Sequence, residues 1–252
     1  MNHTDLVSII TPAYRAAAFV GASIQSVIAQ TYSDWEMLVV DDCSPDNTVE
    51  IVQEWSKKDS RVRLIRQPQN GGPAAARNAA LQAARGRWIA FLDSDDLWQP
   101  EKLALQLKAH RDAGATLSFT EFRRISQDGV AVGRLITVPS RITYSELLGN
   151  TAIATSSVIV DKSLTGDFVM KKVFYDDFAC WLELLRKGGF GLGVQADLLR
   201  YRIVGGSVSR NKKRSAQEVW KTYRHVEQLG VLLSAWYFIN YAFKGWLKYR
   251  KF

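Results

Sequence analysis

The stretch Trp88-Ile89-Ala90-Phe91-Leu92-Asp93-Ser94-Asp95-Asp96 runs from five apolar residues straight into three carboxylates. A short, wholly apolar run reads as a strand buried on both faces. Aspartates packed this closely repel one another in water. Gathering them at the mouth of a buried strand makes sense where a cation neutralises them. Carboxylate oxygens suit hard ions such as Mn²⁺ or Mg²⁺, and Mg²⁺ usually binds one or two carboxylates together with substrate phosphates. A solvated turn or helix cap is the plain alternative for an isolated Asp-x-Asp, but the buried strand before it weighs against that reading.

The same arrangement recurs upstream. Val7-Ser8-Ile9-Ile10 reads as a strand ended by Pro12, and Phe19, Val20, Ile24, Val27 and Ile28 follow at helical spacing. Met37-Leu38-Val39-Val40 is a second strand, stopping at Asp41-Asp42, and Val49, Ile51, Val52 and Trp55 continue as a helix. Val62-Arg63-Leu64-Ile65 is a third strand. Pro73 then opens an Ala-rich helix through Ala84, in the position proline favours at a helix start. After Pro100 comes a helix with Leu103, Leu105, Leu107 and Ala109. Its His110 reads as a surface residue. The alternation predicts an α/β fold, a mostly parallel sheet flanked by helices on both faces. In such sheets the ligand lies beyond the carboxyl ends of the strands. Thr11, Tyr14, Asp41, Asp42, Asp93, Asp95 and Asp96 all fall there.

Each of these segments has a plain reading. Ser44 or Asp46 serves as a helix cap, which leaves Asp41 and Asp42 unexplained. A carboxylate at that strand end suits a base N–H or a ribose hydroxyl. Asn70-Gly71-Gly72-Pro73-Ala74-Ala75-Ala76-Arg77-Asn78 is a flexible turn entering a helix. Such an N-terminus attracts phosphate, and a helix that merely needs a start explains it equally well. The second half is less regular. Residues 115–165 read as strands and loops, and Asp177 to Lys187 reads as a helix stopped by Gly188-Gly189.

The chain has 252 residues, 47% hydrophobic and 23% charged, with two cysteines. That composition excludes collagen, coiled coil and extended disorder, and two cysteines fit a reducing compartment. No charged-then-apolar leader opens the chain, so signal-peptide secretion is not expected. Gly-x-Gly-x-x-Gly, the P-loop and the Gly-x-Ser-x-Gly elbow are absent, which disfavours nicotinamide and flavin enzymes, P-loop nucleotidases and serine hydrolases.

Val7-Ser8-Ile9-Ile10-Thr11-Pro12-Ala13-Tyr14, Val40-Asp41-Asp42-Cys43-Ser44, Gly72 to Asn78 and Phe91 to Asp96 occur in this order. Together they resemble the family 2 glycosyltransferases, which have the GT-A nucleotide-sugar fold. The similarity spans roughly residues 5–210. It implies inverting transfer of a sugar from a nucleoside diphosphate, usually UDP. Thr11, Pro12, Tyr14, Asp41 and Asp42 would hold the uridine. Asp95 would bind a divalent metal, Mn²⁺ or Mg²⁺, with Asp93 or Asp96 touching the ribose or supporting the metal. Arg77 would sit near the nucleotide-site carboxylates or the phosphates. The family's general base corresponds to Asp177, with Asp176 where glutamate is usual, a departure that leaves open which of the two carboxylates acts. A helix cap is the plain reading of that pair. Tyr201 to Ser209 resembles a segment of the lipid-linked-sugar transferases, in which Arg202, Ser207 and Ser209 would contact the diphosphate when a loop closes. The Gln-x-x-Arg-Trp motif of processive synthases is absent, so one sugar per encounter is expected.

The net charge of +8 sits in the last 43 residues, where ten Lys/Arg face two Asp/Glu. We therefore divide the chain into a catalytic domain, residues 1–209, and a basic, aromatic tail, residues 210–252. Leu229 to Phe243 carries no charge. At 15 residues it falls short of the roughly 20 a bilayer-spanning helix needs. Aromatics interleaved with Lys/Arg suit a helix in the headgroup region of anionic lipid; packing on the catalytic domain is the alternative. The expected partners are a UDP-sugar, a lipid-linked saccharide acceptor and an anionic membrane surface, at the inner face of a bacterial membrane, without nucleic acid. A metal-dependent nucleotidyltransferase is the nearest rival. A basic nucleic-acid-binding protein is a weaker one, because it leaves the aspartates idle.

Overall fold

The apolar runs read from the sequence become the centre of one large sheet. The computed structural model describes residues 5–150, 153–205 and 212–249. In chain order the elements are β1 (Val7–Ala13), α1 (Val20–Ile28), β2 (Trp35–Asp41), α2 (Thr48–Lys58), β3 (Val62–Arg66), α3 (Pro73–Ala83), β4 (Trp88–Phe91), β5 (Leu97–Trp98) and α4 (Lys102–Ala113). Then follow β6 (Leu117–Ile125), β7 (Val132–Ile136), β8 (Arg141–Ile142), α5 (Tyr144–Leu148), β9 (Ile159–Asp161), α6 (Lys162–Thr165), α7 (Asp176–Arg186), β10 (Gly191–Arg202), α8 (Lys212–Lys221) and α9 (Val231–Tyr249). A 3-10 turn over Thr155–Ser157 precedes β9, and a π-helical turn over Thr222–Val226 follows α8.

The strand order is β3-β2-β1-β4-β9-β6-β10-β5, with β7 on β6 and β8 on β10. β3, β2, β1 and β4 are mutually parallel, because α1, α2 and α3 supply the crossovers that parallel neighbours require. β9 is antiparallel to β4 and β6, and β10 is parallel to β6. Successive residues of a strand face opposite sides. Val7, Ile9, Met37, Val39, Trp88 and Ala90 pack with Val20, Ile24, Val27, Leu103 and Leu107 of α1 and α4. Ile10, Leu38, Val40, Ile89 and Phe91 pack with Ala76 and Ala80 of α3 and Trp181 and Leu182 of α7.

Two expectations are corrected here. β1 does not end before Pro12; it continues to Ala13 beside Asp41 of β2. Alternate residues bond to alternate neighbours: Ile10 O accepts from Leu92 N on the β4 side, while Ala13 O accepts from Asp42 N on the β2 side. Pro12 shares the β4 side, and β4 pairing stops at Ile10, so the missing N–H costs no ladder bond. His110 is not a surface residue but 1% exposed. It lies on the inward stripe of α4 with Leu103 and Leu107, and its ring nitrogens meet Ser118 Oγ at 2.9 Å and Ala115 O at 2.8 Å.

The tail is fastened to the sheet layer. Val219 and Tyr223 are buried with Leu147 and Leu148 of α5, and the Tyr223 hydroxyl donates to the Leu148 carbonyl. Glu227 accepts from the Tyr144 hydroxyl at 2.6 Å and from Arg186 at 2.7 Å.

Candidate active site

Parallel strands bring their carboxyl ends to one rim, so Thr11, Asp41 and Asp93 gather there from three separate segments. Thr11 is fully buried, and its Oγ1 has no hydrogen-bond partner among the described residues. Pro12 is half-buried beside it, and Tyr14 is exposed, with the Arg15 guanidinium 5.4 Å from its ring centre. Asp41 accepts from the Ser44 N–H at 3.2 Å. Asp42 reaches across to the loop before α3. Its two oxygens accept the Gly71 and Gly72 N–H groups, each at 2.8 Å, and its carbonyl accepts Asn70 Nδ2 at 2.8 Å. Gly72 has φ +83°, a backbone region glycine enters at little cost, and Pro73 follows as the first residue of α3. The Asp41 and Asp42 carboxylates thus also organise the backbone of this wall.

Arg77, one turn into α3, is the centre of the acidic group. Its side chain is 8% exposed. Nη2 bonds Asp93 Oδ1 at 2.7 Å, and Nη1 bonds Asp176 Oδ2 at 2.8 Å. Nε is buried without a partner among the described residues. Burial opposes its charge, but Asp93, Asp176 and Asp177 together raise its pKa above the ordinary value. The expectation placed Arg77 near the nucleotide-site carboxylates or the phosphates; both terminal nitrogens are engaged by protein carboxylates. Buried charge is tolerated when paired and hydrogen-bonded, and Arg77 supplies the fork geometry that two carboxylates need.

The acidic loop itself is poorly neutralised. Burial, then the neighbouring Asp93 charge, pushes the Asp95 carboxyl up to about 6. Asp96 is 1% exposed. Burial first, then Asp95 and Asp93, raises its pKa well above the usual carboxylate range. Its Oδ1 accepts the Arg202 N–H at 2.8 Å, while Oδ2 lacks a partner among the described residues. Among these residues no three His, Cys, Asp or Glu side chains form a ready metal cage.

On α7, burial raises the Asp176 carboxyl. Asp177 is half-buried; its Oδ2 accepts the Thr155 hydroxyl at 2.5 Å and its Oδ1 the Phe178 N–H at 2.7 Å. Arg202 stands at the end of β10, expected at the diphosphate. Its guanidinium is held by carbonyls, Nε on Asp95 O at 2.7 Å and Nη1 on Gln127 O at 2.9 Å, and lies 5.2 Å from the Phe19 ring centre. It locks the acidic loop to the residues that join β6 and β7. Ser207 and Ser209 lie outside the described residues.

Sequence reading gave Tyr201 no role of its own and passed over Thr155 and Ser156. Burial and the charges of Asp96, Asp93, Asp95 and Asp177 raise the Tyr201 phenol, which places it among the site's carboxylates. The signal for Thr155 and Ser156 was a run of three hydroxyl residues, Thr155-Ser156-Ser157, just before apolar Val158-Ile159-Val160.

The sequence model of the family described as Glycosyl transferase family 2 matches residues 8–174. The chain is 40% identical over 242 residues to the putative teichuronic acid biosynthesis glycosyltransferase TuaG of Bacillus subtilis, covering 96% of each chain. It is 36% identical to the UDP-Glc:alpha-D-GlcNAc-diphosphoundecaprenol beta-1,3-glucosyltransferase WfgD of Escherichia coli, covering 95% of this chain and 93% of that one. In fold it is similar to S. aureus TarS residues 1–349 in complex with UDP-GlcNAc, with TM-score 0.75 at 18% identity, covering 96% of this chain and 72% of that one. The mannosyltransferase PcManGT of Pyrobaculum calidifontis, in complex with GDP-Man and Mn²⁺, gives TM-score 0.70 at 18% identity, covering 94% and 73%. The rim of aspartates, the GT-A sheet beneath it and these similarities set aside the nucleotidyltransferase reading: the chain belongs to glycosyl transferase family 2 and is a glycosyltransferase.

Proposed function

We propose that the protein moves one sugar, with inversion, from a UDP-sugar to a saccharide on a polyprenyl diphosphate, as a step of cell-surface polysaccharide or O-antigen assembly. One observation carries the reading. Arg77 joins Asp93 of the acidic loop to Asp176 of α7 in a single buried bridge, so Asp177 stands beside the rim where β4 ends. Two E. coli relatives, each 36% identical, are named as glucosyltransferases that act from UDP-Glc on GlcNAc-diphosphoundecaprenol and make a beta-1,3 linkage. A β product from an α-linked nucleotide sugar is an inversion, which supports the same stereochemistry here.

The chemistry is a displacement at the anomeric carbon. The acceptor hydroxyl oxygen bonds to that carbon, its proton passes to Asp177, and the bond to the diphosphate oxygen breaks with its electron pair leaving on UDP. Asp177 acts as general base, a role that needs a carboxylate within hydrogen-bond reach of the hydroxyl. Thr11, Pro12, Tyr14, Asp41 and Asp42 would form the uridine wall, at whose base the buried Thr11 hydroxyl has no hydrogen-bond partner among the described residues. Asp93 and Asp96 back the nucleotide side.

The donor set fits a divalent cation. Asp95 offers a hard oxygen ligand whose own charge is opposed by burial and by Asp93, so a nearby cation relieves it. One carboxylate plus substrate phosphate oxygens is a usual environment for Mg²⁺, and Asp95 would hold Mn²⁺ or Mg²⁺ in that way. Such an ion, when bound, offsets the charge gathering on the departing diphosphate.

The tail extends the proposal to the membrane. α9 is apolar on two faces. Tyr237 and Phe238 turn toward Tyr223 and Trp220, at ring-centre distances of 6.5 and 5.8 Å. Leu232, Trp236 and Ile239 stand 88%, 63% and 66% exposed on the other face. No described helix is long and apolar enough to cross a membrane. An exposed apolar stripe beside exposed Lys244, in a tail of ten cations and two anions, suits the headgroup layer of anionic lipid. Residues 210–252 would then hold the catalytic domain, residues 1–209, at the inner face of the membrane.

The test is a UDP-release screen of nucleotide sugars with a short-chain lipid-diphosphate sugar acceptor, with and without Mn²⁺, and with the product anomer determined. Free UDP together with an inverted glycosidic product is expected. A retained anomer, or no turnover with any UDP-sugar, overturns the proposal.

A further inference from the structure

Two of three consecutive hydroxyls fasten the two halves of the site to each other. Thr155–Ser157 forms one 3-10 turn, and all three side chains are buried. Buried hydroxyls need partners; Thr155 and Ser156 have found theirs on two different segments, Ser157 within the turn. Thr155 Oγ1 donates to Asp177 Oδ2 at 2.5 Å. Ser156 Oγ accepts the backbone N–H of Asp93 at 3.0 Å. Ser157 Oγ donates to the Ala154 carbonyl at 2.6 Å and closes the turn.

The carbonyls of the same turn are fixed as well. Ser156 O accepts the Trp98 indole N–H at 2.7 Å, and Ser157 O accepts Gln106 Nε2 at 2.9 Å. Gln106 Oε1 in turn accepts from Lys102 Nζ at 2.8 Å, and that Nζ lies 4.0 Å from the Trp98 ring centre. The turn is therefore anchored to β5 and α4, while its adjacent hydroxyls reach the acidic loop and α7.

We infer that Thr155 and Ser156 are positioning residues of the transfer reaction. Thr155 fixes the orientation of the Asp177 carboxylate, and Ser156 fixes the start of the acidic loop, so the base and the nucleotide rim keep one separation. This rests on the reading of Asp177 as the base. Among the described residues Asp177 has one other hydrogen-bonded anchor, the adjacent Phe178 N–H on Oδ1. Without Thr155 the carboxylate is held from its own helix alone and is free to swing. A misplacement of about 1 Å between reacting groups costs roughly a hundredfold in rate. Ser156 acts on the other partner: removing its oxygen strands the Asp93 N–H and loosens the loop that leads to Asp95.

The test is steady-state kinetics of the full chain carrying Thr155→Val, Thr155→Ser, Thr155→Ala or Ser156→Ala, with Thr155→Val repeated in an Asp177→Asn background. Melting temperatures are taken alongside. Thr155→Val should lower kcat at least about tenfold, the scale of a hydrogen bond to a charged group, with donor KM little changed. Thr155→Ser should restore most of kcat. Ser156→Ala should raise donor KM more than it lowers kcat. In the Asp177→Asn background Thr155→Val should remove nothing further. If Thr155→Val melts early, the contrast between Thr155→Ala and Thr155→Ser decides. Wild-type kcat in Thr155→Val, with Asp177→Asn inactive, overturns this inference alone. So does an equal loss from Thr155→Val in both backgrounds. Full turnover by Asp177→Asn overturns the base assignment itself and takes this inference with it.

Discussion

Arg77 Nη1 donates to Asp176 Oδ2 at 2.8 Å across 99 residues of sequence. Its Nη2 takes Asp93 at 2.7 Å. One guanidinium thus joins α3, the end of β4 and the start of α7. Each of these elements brings part of the proposed chemistry: the helix start facing the Asp42-held loop, the acidic loop, and Asp177. The bridge makes the site one object rather than three.

Removing that bridge should be costly. Arg77→Ala leaves the Asp93 and Asp176 carboxylates without their cation, and a buried pair broken on one side costs about 3–5 kcal/mol. Arg77→Lys keeps the charge but loses the two-pronged geometry. It should fold, melt lower than wild type and lose most transfer activity. Denaturant unfolding with a parallel UDP-release assay checks both. Wild-type activity in Arg77→Lys would show that the bridge does not position α7.

Asp177→Asn is expected to lower kcat by about 10²–10⁴, the usual worth of a general base, while UDP binding by calorimetry stays near wild type. The side chain keeps nearly its shape and its Thr155 contact, so folding should be unaffected. An active Asp177→Asn variant would move the base elsewhere, Asp176 being the next carboxylate.

Chelation should stop transfer, and added Mn²⁺ or Mg²⁺ should restore it in wild type but not in Asp95→Ala. The readout is UDP release in EDTA followed by metal titration. Undiminished turnover in EDTA would remove the ion from the proposed mechanism.

The acidic loop also makes a prediction for stability. The folded pKa of Asp96 lies above its ordinary value, and that of Asp95 is pushed up to about 6. Between the unfolded pKa, about 3.9, and these raised values, the folded chain binds more protons than the unfolded one. Stability from this pair is therefore present at low pH and falls as pH rises through the window. Asp96→Asn keeps an acceptor for the Arg202 N–H and removes the titration. It should raise Tm in metal-free buffer at about pH 8 and much less at about pH 5. Thermal melts of both proteins across that range decide; an equal shift at both ends would mean the effect is not electrostatic.

Leu232→Glu, Trp236→Glu and Ile239→Glu together place three anions on the exposed face of α9 and leave Tyr237 and Phe238 packed. The triple variant should lose sedimentation with anionic vesicles and keep UDP release with a soluble acceptor analogue. Unchanged vesicle binding would leave the stripe without its proposed lipid partner.

Local pattern made a large part of this legible. Mostly apolar runs of four or five residues, each closed by polar groups and followed by helical spacing, identified β1 to β4 and placed Thr11, Asp41 and Asp93 on one rim. A parallel sheet sends every strand end to the same side, so a rule about single strands becomes a statement about the site. Tertiary contact decided which side chains those groups meet. Asp42 takes the Gly71 and Gly72 N–H groups, Arg77 takes two carboxylates, Arg202 takes backbone carbonyls, and Thr155 takes Asp177. These partners lie 16 to 107 residues apart, and no periodicity records such pairings. His110 turned inward and the tail docked on α5 for the same reason: burial of polar atoms depends on partners that only the folded chain brings within reach.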